Sequence, residues 1–169
     1  MKHFALFLYL FALLLASCGQ LSWTHFRGNN LDGHAVGKNF PVNFGENDNL
    51  IWKTPVEGLA WSSPVIWGDQ IWLTNATRNG EKLSVLCIDY KTGNIIKDIL
   101  LFGPAVIQNI HATNSYATPT PAIEKGFVYV HYGTYGTACI NTKDFSVVWT
   151  RTDMNCEHMQ GAASSVVIH

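Results

Sequence analysis

Charge is scarce in this chain. Only 14% of its 169 residues are Asp, Glu, Lys or Arg, and the formal net charge is −1. There is no electrostatic case for nucleic acid, whose binders carry a basic patch. Long apolar runs are missing too. The uncharged stretch 4–16 is shorter than the about 20 residues that span a bilayer. No C-x-x-C pair is present, and Cys156-x-His158 alone is poor material for a metal site. The nucleophile elbow Gly-x-Ser-x-Gly and the phosphate loop Gly-x-x-x-x-Gly-Lys are both absent. So is any amphipathic helical period after residue 20. What is plentiful is apolar and aromatic: 47% hydrophobic residues, with six Trp, six Tyr, nine Phe and fourteen Gly. Such a chain is not disordered. Its composition is that of β structure with many turns.

The N-terminus reads as an address. Lys2 precedes the apolar run, which ends in Leu15-Ala16-Ser17-Cys18. A charged start, a short apolar stretch and small residues at the cut form a signal peptide. With Cys directly after the small pair, the segment resembles a lipobox. Residues 1–17 are then a lipoprotein signal peptide, and Cys18 is the lipidated first residue of the mature chain. This implies a membrane partner reached through the lipid and an extracytoplasmic location in a bacterial envelope. Gly19, rather than Asp, favours the outer membrane by the sorting rule of enteric lipoproteins.

Residues 18–49 form a lead-in rich in Gly and Asn, and the chain repeats itself from residue 50 onward. Ser62-Ser63-Pro64-Val65-Ile66-Trp67-Gly68-Asp69 is followed by Ile71-Trp72-Leu73. It recurs as Pro119-Thr120-Pro121-Ala122-Ile123-Glu124-Lys125-Gly126, followed by Phe127 to Val130. A third start stands at Ser164-Ser165-Val166-Val167-Ile168. The later half recurs as well: Cys87-Ile88-Asp89-Tyr90-Lys91-Thr92-Gly93 matches Cys139-Ile140-Asn141-Thr142-Lys143-Asp144-Phe145. Cys87 and Cys139 thus occupy one repeated place and are expected to be small buried hydrophobes. Leu50 to Lys53 reads as the tail strand of a preceding unit. Within a unit, β-rich runs at Val65–Trp67, Ile71–Leu73, Leu83–Asp89 and Ile95–Leu101 are separated by Gly-containing turns. Four short antiparallel strands repeated over roughly 40–50 residues describe a propeller blade. A β-sandwich would use short strands too, but it would not repeat its own sequence. The expectation is an all-β, partial propeller of two full blades with flanking strands over 50–169. Because propellers close with about 4–8 blades, the chain is expected to be the front of a longer protein. It should form an open arc with an exposed blade face.

The run Ile88-Asp89-Tyr90-Lys91-Thr92-Gly93, with Val147-Val148-Trp149 in the next copy, resembles the pyrroloquinoline-quinone (PQQ) type propeller repeat. That repeat occurs in quinoprotein dehydrogenases and in the outer-membrane assembly lipoprotein BamB. The segments Trp23-Thr24-His25-Phe26-Arg27-Gly28, Trp52-Lys53, Ser62 to Val65, Asn114 to Pro121, His131 to Gly136 and Cys156 to Gly161 are similar to secreted bacterial PQQ-like repeat proteins. The resemblance implies structural roles for Trp52, Pro64, Asp89, Gly93, Pro121 and Trp149, the last filling space between blades. Lys97 departs from the pattern where the first blade should have its Trp. Asp144-Phe145 replaces Thr-Gly in the second, which suggests a less regular turn. The quinone itself is not expected, because the chain has no adjacent cysteine pair and no carboxylate cluster with calcium-loop spacing.

No catalytic constellation emerges. His111, Asn114, Tyr116, His131, Tyr132, Tyr135 and His158 cluster in the family-like motifs. They either form a binding surface on the loops of a rigid scaffold or satisfy backbone groups at the blade ends. The expected function is a protein-interaction or ligand-binding scaffold that meets envelope proteins or a small ligand. Two rivals are a quinoprotein-like or other propeller enzyme and a BamB-like assembly factor, the latter using Val106, Ile107 and Ile110 as an apolar loop patch.

Overall fold

A computed structural model describes residues 20–156 and 158–169. The signal segment and Cys18 lie outside the described residues. Among the described residues nine strands form two antiparallel sheets. The first contains β1 (Ser22–Trp23), β2 (Val65–Trp67), β3 (Gln70–Ala76), β4 (Leu83–Asp89) and β5 (Ile95–Phe102), in that order. The second contains β6 (Ala122–Glu124), β7 (Phe127–His131), β8 (Thr137–Asn141) and β9 (Val147–Arg151), again in chain order. Among the described residues the only helical element is a single 3₁₀ turn, Gly133–Tyr135. None of their helices is long and apolar enough to cross a membrane.

The strands fall where β-branched and aromatic runs meet Gly turns, and the two sheets copy each other in detail. Val65, Trp72, Cys87 and Lys97 form one cross-strand row of the first sheet. Ala122, Tyr129, Cys139 and Trp149 form the same row of the second. The ladder shifts register directly after Cys87 in one sheet and directly after Cys139 in the other. Each shift re-aims the outer strand.

The turn between third and fourth strands is also shared. Asp89 Oδ1 accepts the Lys91 and Thr92 amides at 3.0 and 2.7 Å, an Asx turn, and Asn141 Oδ1 accepts the Lys143 amide at 2.8 Å. The Gly93 amide returns to the Asp89 carbonyl at 2.9 Å, and Phe145 to Asn141 at 3.0 Å. Gly93 has φ +74° and Phe145 φ +64°. The second turn keeps the backbone course of the first, with one Asx amide bond in place of two. Phe145 holds a conformation suited to glycine, and its ring packs on Trp72 at 5.9 Å.

One continuous core joins the sheets. Val65, Trp72, Val85 and Cys87 meet Ile123, Val128, Val130, Ala138 and Ile140, all essentially buried. Tyr132 crosses between the sheets with its hydroxyl donating to the Ser84 carbonyl and its ring against Phe102 at 5.8 Å.

Two expectations change. Leu50–Lys53 is not a strand; Ile51 is 87% exposed, and Trp52 is instead held by its indole N–H donating to the Tyr90 carbonyl at 2.9 Å. Residues 164–168 are not a strand either, although the Val166 amide reaches the Thr120 carbonyl at 3.3 Å. Trp149 does not lie between these two sheets, and among the described residues no third sheet stands against it. It lies on β9, 40% exposed, beside Tyr129 at 6.2 Å. The first two segments lack a full ladder partner among the described residues, and Trp149 belongs to the face turned away from the first sheet.

Candidate functional site

The three repeat starts converge. Ser63, Thr120 and Ser165 hold the same place in successive repeats, and each is tied to the next through a side chain. The Ser63 amide donates to Thr120 Oγ1 at 3.0 Å, and the Thr120 amide donates to Ser165 Oγ at 3.1 Å. Ser62 Oγ accepts the Thr74 amide at 3.0 Å, and the Thr74 hydroxyl lies 3.1 Å from the Ala117 and Pro119 carbonyls. The prolines following Ser63 and Thr120 carry no amide, so these hydroxyl bonds supply much of the polar pairing where the chain enters a sheet.

The N-terminal motif runs across the same three starts. Trp23 pairs with Ile66. The Thr24 carbonyl accepts the Ile123 amide at 2.9 Å, and His25 Nε2 accepts the Ile168 amide at 3.2 Å. Ile66, Ile123 and Ile168 are equivalent in the repeats, so consecutive residues of the motif engage consecutive units. Asn29 braces the crossing: its Oδ1 accepts the Thr24 amide at 2.9 Å. Burial lowers the His25 pKa. A neutral ring suits it, because Nε2 must accept the Ile168 amide.

Beside this crossing is a cleft of about 580 Å³, within the usual size range of ligand pockets. Its walls include Phe26, Arg27, Trp61, Ser63, Thr120 and Ser164. Phe26 and Trp61 are 49% and 48% exposed. In the sequence Phe26, Arg27, Ser63, Thr120 and Ser164 stand out only as repeat and motif letters, and Trp61 belongs to neither. The recurrence of a hydroxyl at positions 63, 120 and 165 was the signal that could have marked them.

The residues expected to form a binding surface lie elsewhere. Tyr116 donates its hydroxyl to the Gln108 carbonyl at 2.8 Å, and the Gln108 amide donates to the Tyr135 hydroxyl at 2.8 Å. The two phenols thereby clamp both backbone polar groups of one residue in the loop after β5, with their rings 6.1 Å apart. Asn114 donates to the Gln160 carbonyl at 2.6 Å and accepts from Ser115 and Thr118. His111 is exposed and shares a 2.8 Å bond with the Thr113 hydroxyl. His131 Nδ1 is 2.8 Å from Thr137 Oγ1, and burial, with His158 nearby, lowers its pKa. Tyr116, Tyr132, Tyr135 and His158 are gathered together, but the space among them is about 10 Å³, near the minimum for one water. Their polar atoms mostly serve backbone groups.

Of the structural residues, Gly93 receives the Trp52 ring: a Cβ there would stand 2.5 Å from Trp52 Cδ2. Cys87 and Cys139 are buried free thiols, and Cys156 is exposed and free. Burial, then Asp89, pushes Cys87 up to about 12, so it stays a protonated hydrophobe. Among the described residues no three His, Cys, Asp or Glu side chains are grouped to hold a metal. No protein-family model matches the chain, and no curated protein matches it either.

Proposed function

We propose that the chain belongs to a lipid-anchored, extracytoplasmic scaffold of the PQQ-like propeller type, which binds a ligand at the cleft where its repeats begin. The two sheets would be successive blades. Strand-by-strand repetition, matching register shifts and the hydroxyl ties at Ser63, Thr120 and Ser165 support that arrangement. The open Tyr129–Trp149 face of the second sheet corresponds to the covered face of the first, which supports a further blade against it. The single observation that carries the binding reading is the cleft itself, which backbone from three repeats and the N-terminal motif holds in shape.

The quinone that the resemblance brings to mind does not fit these residues. Cys87 and Cys139 lie in separate sheet interiors, and no grouped carboxylates could hold its calcium among the described residues. A thermal-shift series on the purified chain tests the reading. Quinone with calcium should leave the unfolding midpoint and visible spectrum unchanged, while a cleft ligand should raise the midpoint by mass action. A quinone spectrum with a raised midpoint would replace the scaffold with an oxidoreductase. The anchor is tested separately: Cys18→Ala should abolish fatty-acid incorporation, and label that persists would place the lipid elsewhere.

A further inference from the structure

We propose that the cleft takes an oligosaccharide bearing carboxylate groups, with Arg27 as the carboxylate receptor and Trp61 and Phe26 as stacking surfaces. This deepens the binding reading above and rests on it.

The cleft contains an unanswered positive charge. Its lining includes Arg27 and no acidic residue. Three other cations, Lys53, Lys91 and Arg151, have carboxylate partners at 2.9, 3.1 and 2.6 Å; Arg27 is one of several that do not, and the one that lines this cleft. No described acid stands in that relation to Arg27; its guanidinium instead lies 5.9 Å from the centre of the Phe26 ring. A guanidinium presents a planar fork that matches a carboxylate.

Its backbone is held deliberately. Arg27 has φ +66° and Gly28 φ +83°. The first is uncommon for a residue with a side chain and costs of order 1–3 kcal/mol unless its surroundings impose it. The Gly28 amide bonds the His25 carbonyl and the Gly33 amide bonds the Arg27 carbonyl, each at 2.9 Å. Gly28 also has the Trp23 ring against it, 2.8 Å from where a Cβ would be. The turn thus fixes Arg27 next to the crossing that ties the repeats together.

The rest of the wall suits a sugar. Phe26 and Trp61 expose about half their surface, and flat rings of that kind stack on the C–H faces of pyranoses while the indole N–H remains available. No described residue engages the Ser63 and Ser164 hydroxyls, which can exchange hydrogen bonds with sugar hydroxyls. An acidic peptide is the less favoured occupant. A peptide adds to a sheet through a free edge, and here Trp23 already pairs with β2 and Thr24 with Ile123 of β6.

Titration of the purified full chain, followed by tryptophan fluorescence, tests this with trigalacturonate, galactotriose and triglutamate. Trigalacturonate should bind at least about tenfold more tightly than galactotriose, and more weakly as salt is raised. Arg27→Gln should remove that preference, so that the two sugars bind the variant with equal affinity. Arg27→Gly, which suits the left-handed backbone, should do the same with no loss of unfolding midpoint. Trp61→Ala, followed by calorimetry because it removes the fluorescent reporter, should weaken both sugars. Equal affinity for the two sugars, indifferent to Arg27, would overturn the carboxylate assignment and leave a sugar-binding scaffold. Tighter binding by triglutamate would overturn the sugar assignment in favour of a peptide. No response to any probe from a chain with intact circular dichroism would overturn this proposal. The broader scaffold reading falls separately, by the quinone result in the thermal-shift series.

Discussion

The two sheets share strand order, register shifts and turn geometry, yet equivalent residues meet different surroundings. In the first, the row Val65, Trp72 and Cys87 is fully buried because the second sheet lies on it. In the second, Tyr129 is half-buried and Trp149 is 40% exposed. Ala122 and Cys139, the equivalents of Val65 and Cys87, are buried as well, so the difference lies at the larger side chains of the row. Repetition therefore sets backbone and register, while the neighbouring sheet decides how much a side chain contributes. A repeat unit has no complete core of its own and depends on the unit stacked against it.

The sharpest way to break that comparison is to truncate equivalent aromatics. Trp72→Ala removes a fully buried ring that also supports Phe145, and should cost about 3–5 kcal/mol. Tyr129→Ala should cost less than about half of that by urea denaturation. Equal losses would mean that the second face is covered as well as the first.

The turns provide the next test. Gly93→Ala places a Cβ into the Trp52 ring at φ +74° and should destabilise by about 1–3 kcal/mol. Phe145→Gly, at the equivalent turn, relieves a left-handed residue while giving up the Trp72 contact, so its net loss should be smaller. A larger loss at Phe145 would show that its ring matters more than its backbone.

Tyr132→Phe deletes the bond from one sheet to the Ser84 carbonyl of the other but keeps the ring packing. A loss of about 1 kcal/mol is expected in thermal or urea unfolding. No loss would mean that the apolar contact alone holds the sheets at that point.

The smallest expected effect is of pH. His25 and His131 both have pKa values lowered from the ordinary 6.5, chiefly by burial. The unfolded chain then binds protons more readily, so stability is full above 6.5 and falls as pH drops toward the depressed folded values. His131→Gln should flatten part of that slope in unfolding midpoints measured across the range. An unchanged slope would assign the effect to His25.

Much of the sheet framework was legible because it depends on local pattern. β-rich runs on either side of Gly68 and Gly126 mark two hairpins, and Asp89 with Gly93 marks a turn. The fate of Leu50–Lys53 was not legible, since an apolar stretch becomes a strand only with a partner beside it, and Trp52 found the Tyr90 carbonyl instead. Phe145 concealed a left-handed turn behind a residue that seldom adopts one. At the site, the chemistry of Tyr116 and Tyr135 was visible, but their common partner, the backbone of Gln108, lies in an unremarkable loop. The hydroxyls of Ser63, Thr120 and Ser165 were visible as repeated letters. Their purpose was hidden because each bond spans 57 or 45 residues.

Those ties are the centre of the account, and amide hydrogen exchange measures them directly. The Ser63 and Thr120 amides lie outside the strands, so protection there reports the hydroxyl bonds rather than a sheet ladder. Both amides should exchange slowly, and Ser165→Ala should release Thr120 while Ser63 remains protected. Exchange of both at unprotected rates in the unaltered chain would contradict the claim that the repeat starts are bonded to one another.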